Sequence, residues 1–126
     1  MKHVMLIIAA AGFNCIVVHA AARTISPTPP PAPPGFAKCQ GCHATIAGTT
    51  ARAGPVLWGV VGARAGSRAD YAYSSALKAS RIVWTRATLS RYLADPAAAV
   101  PGTRMPKVAM SPAERGAFVD YLTVLK

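Results

Sequence analysis

The chain has 126 residues, enough for one domain or for one small domain behind a leader. Apolar residues make up 52% and charged residues 14%, which excludes a disordered tail, and no apolar run is long and clean enough for a polytopic membrane protein. Lys and Arg number 14 against 4 Asp and Glu, a formal charge of +10 that repels cationic partners and draws acidic ones, whether protein, nucleic acid or anionic lipid.

Residues 1–22 read as a secretory signal peptide. Lys2 and His3 make a basic start, Val4 to Val18 is apolar apart from Asn14, and Ala20-Ala21-Ala22 offers the small residues a signal peptidase reads. The alternative is an uncleaved membrane anchor, for which the run is long enough but Asn14 and His19 make it a poor span. Cys15 lacks a lipid-attachment box and reads as an apolar filler of the leader. Residues 23–35 form a linker, and the prolines of Ser26 to Pro34 make it stiff, extended and polyproline-like. No internal repeat is present.

Once the leader is removed, Cys39 and Cys42 are the cysteines that remain. A pair so close in sequence closes almost no loop, so it serves chemistry rather than stapling. Four readings of Cys39-Gln40-Gly41-Cys42-His43 compete. A zinc site wants a second Cys or His cluster, which the chain lacks. A thioredoxin-like redox pair wants a βαβ pattern, and none is present. Chance would leave two thiols exposed to no purpose. Covalent haem attachment needs two thiols for the two vinyl groups and an adjacent imidazole for the iron, which is what this spacing supplies.

Further along the chain, a short helical turn or two is predicted over 74–79. A second helix is predicted over 86–94 after Thr85, with Leu89, Tyr92 and Leu93 facing inward and Asp95-Pro96 stopping it. Residues 111–125 read as the last helix. Ser111 is its N-cap, Pro112 its first residue and Glu114 the far side of a capping box, while Phe118, Tyr121, Leu122 and Leu125 share one apolar face. The rest is loop, which a compact domain of this size tolerates if a large apolar group sits inside it.

Taken together, several spaced motifs make Phe36 to Lys126 resemble a class I c-type cytochrome of the mitochondrial and bacterial periplasmic kind. They are Lys38-Cys39-Gln40-Gly41-Cys42-His43, Gly54-Pro55-Val56-Leu57-Trp58-Gly59, Tyr71-Ala72-Tyr73-Ser74, Trp84, Tyr92-Leu93-Ala94-Asp95-Pro96, Pro101-Gly102-Thr103-Arg104-Met105 and the Glu114-Arg115 helix. The resemblance implies a small all-α cytochrome c fold, a few helices and long loops wrapped around one covalent haem and its iron, over a domain at 36–126. An apo chain of that kind is expected to fold poorly.

The resemblance also implies roles for single residues. Cys39 and Cys42 bind the haem, and His43 is an axial iron ligand. A soft sixth ligand favours ferrous iron, and Met105 and Met110 are the candidates. The resemblance selects Met105 and leaves Met110 as a gap-filler. It gives the Pro55 carbonyl the task of accepting the other His43 N–H, although Gly54-Pro55 on its own reads as a turn. It makes Tyr73 and Trp84 donors to the haem propionates, where otherwise they would be packing aromatics. Two departures stand out. Ala63 occupies the place where the family often has an arginine, with Arg64 next, which implies less charge compensation and a lower reduction potential. The helix that usually precedes the haem motif is replaced by prolines, leaving at most a turn around Gly35–Lys38, so that Phe118 and Tyr121 lose packing that Phe36 fills only in part.

The function implied is a one-electron carrier, not an enzyme, in the periplasm between respiratory-type redox complexes. Lys38, Arg104 and Lys107, with Arg52, Arg64 and Arg86, are expected to ring the haem edge and to steer acidic-faced redox proteins or membrane respiratory complexes. A monomer is expected, and nucleic acid is not a partner. The alternatives are a membrane-tethered module feeding electrons into a single redox complex, an open-site haem enzyme of peroxidase type, and a decayed copy that no longer takes up haem.

Overall fold

A computed structural model describes residues 28–126, so the leader at 1–22, Cys15 and the first linker residues lie outside the described part. Among the described residues the elements are α1 (Ala37–Gln40), α2 (Ser75–Ala79), α3 (Arg86–Ala94), α4 (Pro96–Ala99) and α5 (Pro112–Val124), with no strand. A single antiparallel bridge joins Arg64 to Val83. The small all-α fold of the sequence reading is thus observed, and its shortened first helix is α1.

The helix starts follow their side chains. Ser111 Oγ accepts from the Glu114 N–H at 3.1 Å, and Glu114 Oε2 accepts from the Ser111 N–H at 2.8 Å. Thr85 and Thr88 make the same reciprocal box at the start of α3, and Ser74 Oγ accepts from the Leu77 N–H at the start of α2. The apolar faces then pair. Leu89, Tyr92 and Leu93 of α3 and Phe118, Val119 and Leu122 of α5 are buried in one cluster.

Two features differ from the expectation. Asp95-Pro96 ends α3 and also begins α4, because Asp95 accepts from the Ala98 N–H at 3.0 Å and Pro96 occupies the first turn. A helix that short carries no apolar period, so in the sequence Asp95-Pro96 reads only as the end of α3. The packing loss over α5 also does not occur. Gly35 turns the chain at φ +79°, where a Cβ would stand 3.0 Å from Glu114 Oε1. That turn seats Phe36, 1% exposed, with its ring edge-on to Phe118 at 5.3 Å and to Tyr121 at 4.7 Å between centroids. Phe118 and Tyr121 are both buried as a result.

Lys38 adds a polar clasp over the same junction, donating to Glu114 Oε1 at 2.8 Å and to the Ala109 carbonyl at 3.1 Å. The Lys38 ammonium, then the Ser111 N–H, hold the Glu114 carboxyl down to about 2 from its ordinary 4.5. A depressed carboxyl contributes stability above its unfolded value and loses it as pH falls toward its folded value. The contribution of Glu114 is therefore expected to be complete above 4.5 and gone near 2. Thermal melts of the wild type and Glu114→Gln from neutral pH down to about 2 check this. The gap between them should close across that window, and a gap that is constant with pH would show that the clasp is not ionic.

Candidate functional site

α1 runs into the Cys39–His43 motif, where the chain curls. The Cys42 and His43 N–H groups both donate to the Cys39 carbonyl, at 3.1 and 2.9 Å. That curl puts Cys39, Cys42 and His43 on the lining of one cavity of about 360 Å3, a volume suited to a buried cofactor. Its walls are largely apolar and include Leu77, Leu89, Leu93, Phe118 and Leu122. Cys39 is buried, and that burial pushes its thiol up, against the pull of Lys38.

His43 Nδ1 lies 2.7 Å from the Pro55 carbonyl oxygen, so Nδ1 carries the proton and donates it, and Nε2 is the bare nitrogen. Burial lowers the His43 pKa, with the Pro55 bond acting the other way, which favours a neutral imidazole with a free lone pair. Gly54 makes this possible. A Cβ there would stand 2.4 Å from His43 Cε1 and 2.8 Å from Nε2, so the ring lies flat against bare backbone. The glycine is pinned on both sides, its N–H to the Cys42 carbonyl at 2.9 Å and its carbonyl to the Arg52 N–H at 3.0 Å.

Met105 lies on the lining of the same cavity. Met110 packs, half-buried, against the outside of the core cluster. Tyr73 and Trp84 also line the cavity. Tyr73 is set edge-on to Tyr71, whose hydroxyl donates to the Ala53 carbonyl at 2.7 Å, and Trp84 leans on Tyr92 with 5.0 Å between ring centroids. The residues singled out from sequence therefore meet around one space.

Sequence reasoning missed several groups there. Tyr92 is more than a core residue, since its hydroxyl bonds Thr103 Oγ1 at 2.5 Å, and Thr103 Oγ1 in turn accepts from the Met105 N–H at 3.4 Å. A buried tyrosine needs a partner for its hydroxyl, which was the available signal. Gly54 read only as a turn, and Arg68, which lines the cavity mouth, had no motif to mark it.

The basic ring is thinner than the sequence suggests. Lys38 is paired with Glu114, Lys107 with Asp95 and Arg86 with Asp120, so none of these is a bare charge. Arg104 donates to the Ala72 carbonyl, and Arg52 reaches the Gln40 carbonyl at 3.4 Å. Arg64 and Arg104 remain at the cavity rim. All 4 carboxylates of the chain are taken up in ion pairs, the last being Asp70 with Arg68.

The donor set fits a haem. Two thiols, a neutral imidazole and a thioether line one largely apolar space, together with hydroxyl, indole and guanidinium donors suited to two carboxylates. Among the described residues no group of three or more His, Cys, Asp or Glu is assembled, so the zinc reading finds no ligand set there.

Known proteins point the same way. The family model described as Cytochrome c matches residues 35–126. Cytochrome c2 iso-2 of Magnetospirillum fulvum is 39% identical over 75% of this chain and 98% of its own length. Cytochrome c2 of Rhodomicrobium vannielii is 43% identical over 69% of this chain and 70% of its own. Among solved structures, cytochrome cH from Methylobacterium extorquens superposes with a TM-score of 0.64 at 43% identity, covering 70% of this chain and 89% of that one.

Proposed function

This chain belongs to the cytochrome c family, and on that premise we propose that it is a one-electron carrier of the periplasm, working between respiratory-type redox complexes. It is an electron-transfer protein and not an enzyme. Family membership implies a covalent haem c with its iron, here a single one, which supplies the one-electron iron couple when bound. Cys39 and Cys42 would hold it by thioether bonds, His43 would offer Nε2 to the iron and Met105 its sulfur. Two such ligands would leave no position for a substrate, which separates a carrier from an open-site haem enzyme.

The observation that supports this reading best is the His43 Nδ1–H donated to the Pro55 carbonyl across a cavity that Met105 also lines. That bond commits the tautomer and keeps the ring from turning. The Tyr92–Thr103 bond steadies the loop that carries Met105, so the thioether needs little reorganisation. The signal-peptide reading of residues 1–22 supports export. Among the described residues no helix is long and apolar enough to cross a membrane. Since every carboxylate of the chain is already paired, its excess positive charge is left for acidic faces on redox proteins or membrane respiratory complexes.

Visible spectra of protein exported in a host with haem-maturation machinery test the assignment. Sharp low-spin c-type bands on reduction, a weak far-red band on oxidation and no carbon monoxide binding by the ferrous protein are expected. Met105→Ala should turn the haem high-spin and open it to carbon monoxide, while Met110→Leu should change neither. Rapid carbon monoxide uptake by the native ferrous protein would remove Met105 from the iron and move the reading to an open-site enzyme.

A further inference from the structure

We propose that Arg68 is the cation that compensates the haem carboxylates in this chain, taking over a charge that Ala63 cannot supply. The inference rests on the haem reading above.

Several of the polar donors that line the cavity come from the segment that runs from Arg64 to Tyr73, to which Trp84 is joined by backbone hydrogen bonds at Gly62 and Ala63. Two carboxylates brought into a partly buried space need hydrogen bonds and opposite charge, or the cost of desolvating them falls on the fold. Tyr73 and Trp84 can give an O–H and an N–H, but both are neutral. The charge has to come from an arginine.

Three arginines line the cavity, and they differ in how they are held. Arg104 gives an Nη2 N–H to the Ala72 carbonyl and is exposed. Arg64 is exposed, and it is its backbone that is held, through the bridge to Val83 and through its carbonyl, which accepts from the Ser67 N–H at 3.2 Å. Arg68 alone is half-buried and held from two directions. Its Nε and Nη2 donate to the two oxygens of Asp70 at 3.0 and 2.9 Å, and its Nη1 donates to the Trp58 carbonyl at 3.4 Å. These bonds leave an N–H on each terminal nitrogen unused. The guanidinium is therefore planar, pre-set and still able to present donors to a carboxylate. Its charge also bears on the Tyr73 hydroxyl, which puts it close to that neutral donor.

The consequence is electrostatic. Uncompensated carboxylates near the iron favour the oxidised state, and Arg68, which lines the cavity while its counter-charge Asp70 does not, shifts the balance back toward the reduced state. The low potential that Ala63 implies from sequence is then not expected, because the compensating charge enters a few residues later in the same loop. Asp70 is a positioning residue for Arg68 and lies outside the cavity lining.

Spectroelectrochemical titration of the holoprotein tests this with Arg68→Gln, Arg68→Lys and Arg64→Gln. At the wild-type midpoint, Arg68→Gln should lower the reduced-to-oxidised ratio by roughly threefold to tenfold, the size expected for removing one charge at short range in a partly screened site. Arg68→Lys should recover most of that ratio, because it keeps the charge while losing the fork. Arg64→Gln should move it much less. An unchanged ratio in Arg68→Gln, or an equal or larger fall in Arg64→Gln, overturns the proposal. A purely structural role for Arg68 would leave the ratio alone in a protein whose low-spin spectrum is intact. Absence of c-type bands in the wild type would instead defeat the haem reading, so the two failures are distinct.

Discussion

Phe36→Ala is expected to cost about 3–5 kcal/mol, the range for removing a large buried aromatic ring. The reason lies in how little else joins α1 to α5. The helix is four residues long and the chain before it is proline-rich, so no helical face is available to cover Phe118 and Tyr121. One ring covers both, meeting each edge-on. Each aromatic contact adds about 0.5–1.5 kcal/mol beyond the area it buries, so the loss is larger than transfer alone. The Lys38–Glu114 clasp above it is exposed and contributes little in exchange. Small domains have only about 5–15 kcal/mol in total, so the variant should be close to unfolding at 37 °C. Denaturant unfolding of the holoprotein should show a lower midpoint with an unchanged slope, and Phe36→Leu should lie in between. A cost under about 1 kcal/mol for Phe36→Ala would show that this ring is not what holds α1 against α5.

Gly54→Ala should be the most damaging single-methyl change at the site. The new Cβ would sit 2.4 Å from His43 Cε1 and 2.7 Å from Nδ1, distances that cannot be kept. The backbone cannot retreat easily, because Gly54 is bonded through both its N–H and its carbonyl. The ring must move, and moving it breaks or bends the 2.7 Å bond to Pro55. Overpacking of this kind costs about 1–3 kcal/mol, and losing the partner of a metal-bound imidazole typically weakens the metal bond by about 10–100-fold. With His43 as the proposed axial ligand, the expected result is a mixed or high-spin haem spectrum and a lower melting temperature. Pro55→Ala is the control. It keeps the accepting carbonyl, so it should retain the low-spin spectrum. A fully native spectrum in Gly54→Ala would show that the ring has room that the present packing denies.

Both effects concern residues whose importance was only half legible. Phe36 was visible as a filler of uncertain worth, because its partners lie some eighty positions away. Gly54 was visible as a turn, because nothing local distinguishes a glycine that bends the chain from one that lets an imidazole lie on it. The ion pairs were not legible at all. Lys38, Lys107 and Arg86 looked like members of one basic ring, and each instead has a carboxylate brought to it by the fold.

The features legible in the amino-acid sequence are those encoded over short spans. The starts of α3 and α5 follow from Thr85 and from Ser111 with Glu114, since caps and apolar periods act within a turn or two. The Cys39–His43 motif carries its own chemistry for the same reason. Folding alone brings the distant groups together through the loops: Gly54 and Pro55 against His43, Thr103 against Tyr92, Arg68 on the cavity lining and Phe36 against α5. Those contacts have no period and no fixed spacing. They are set by close packing, in which each side chain is placed by all its neighbours at once.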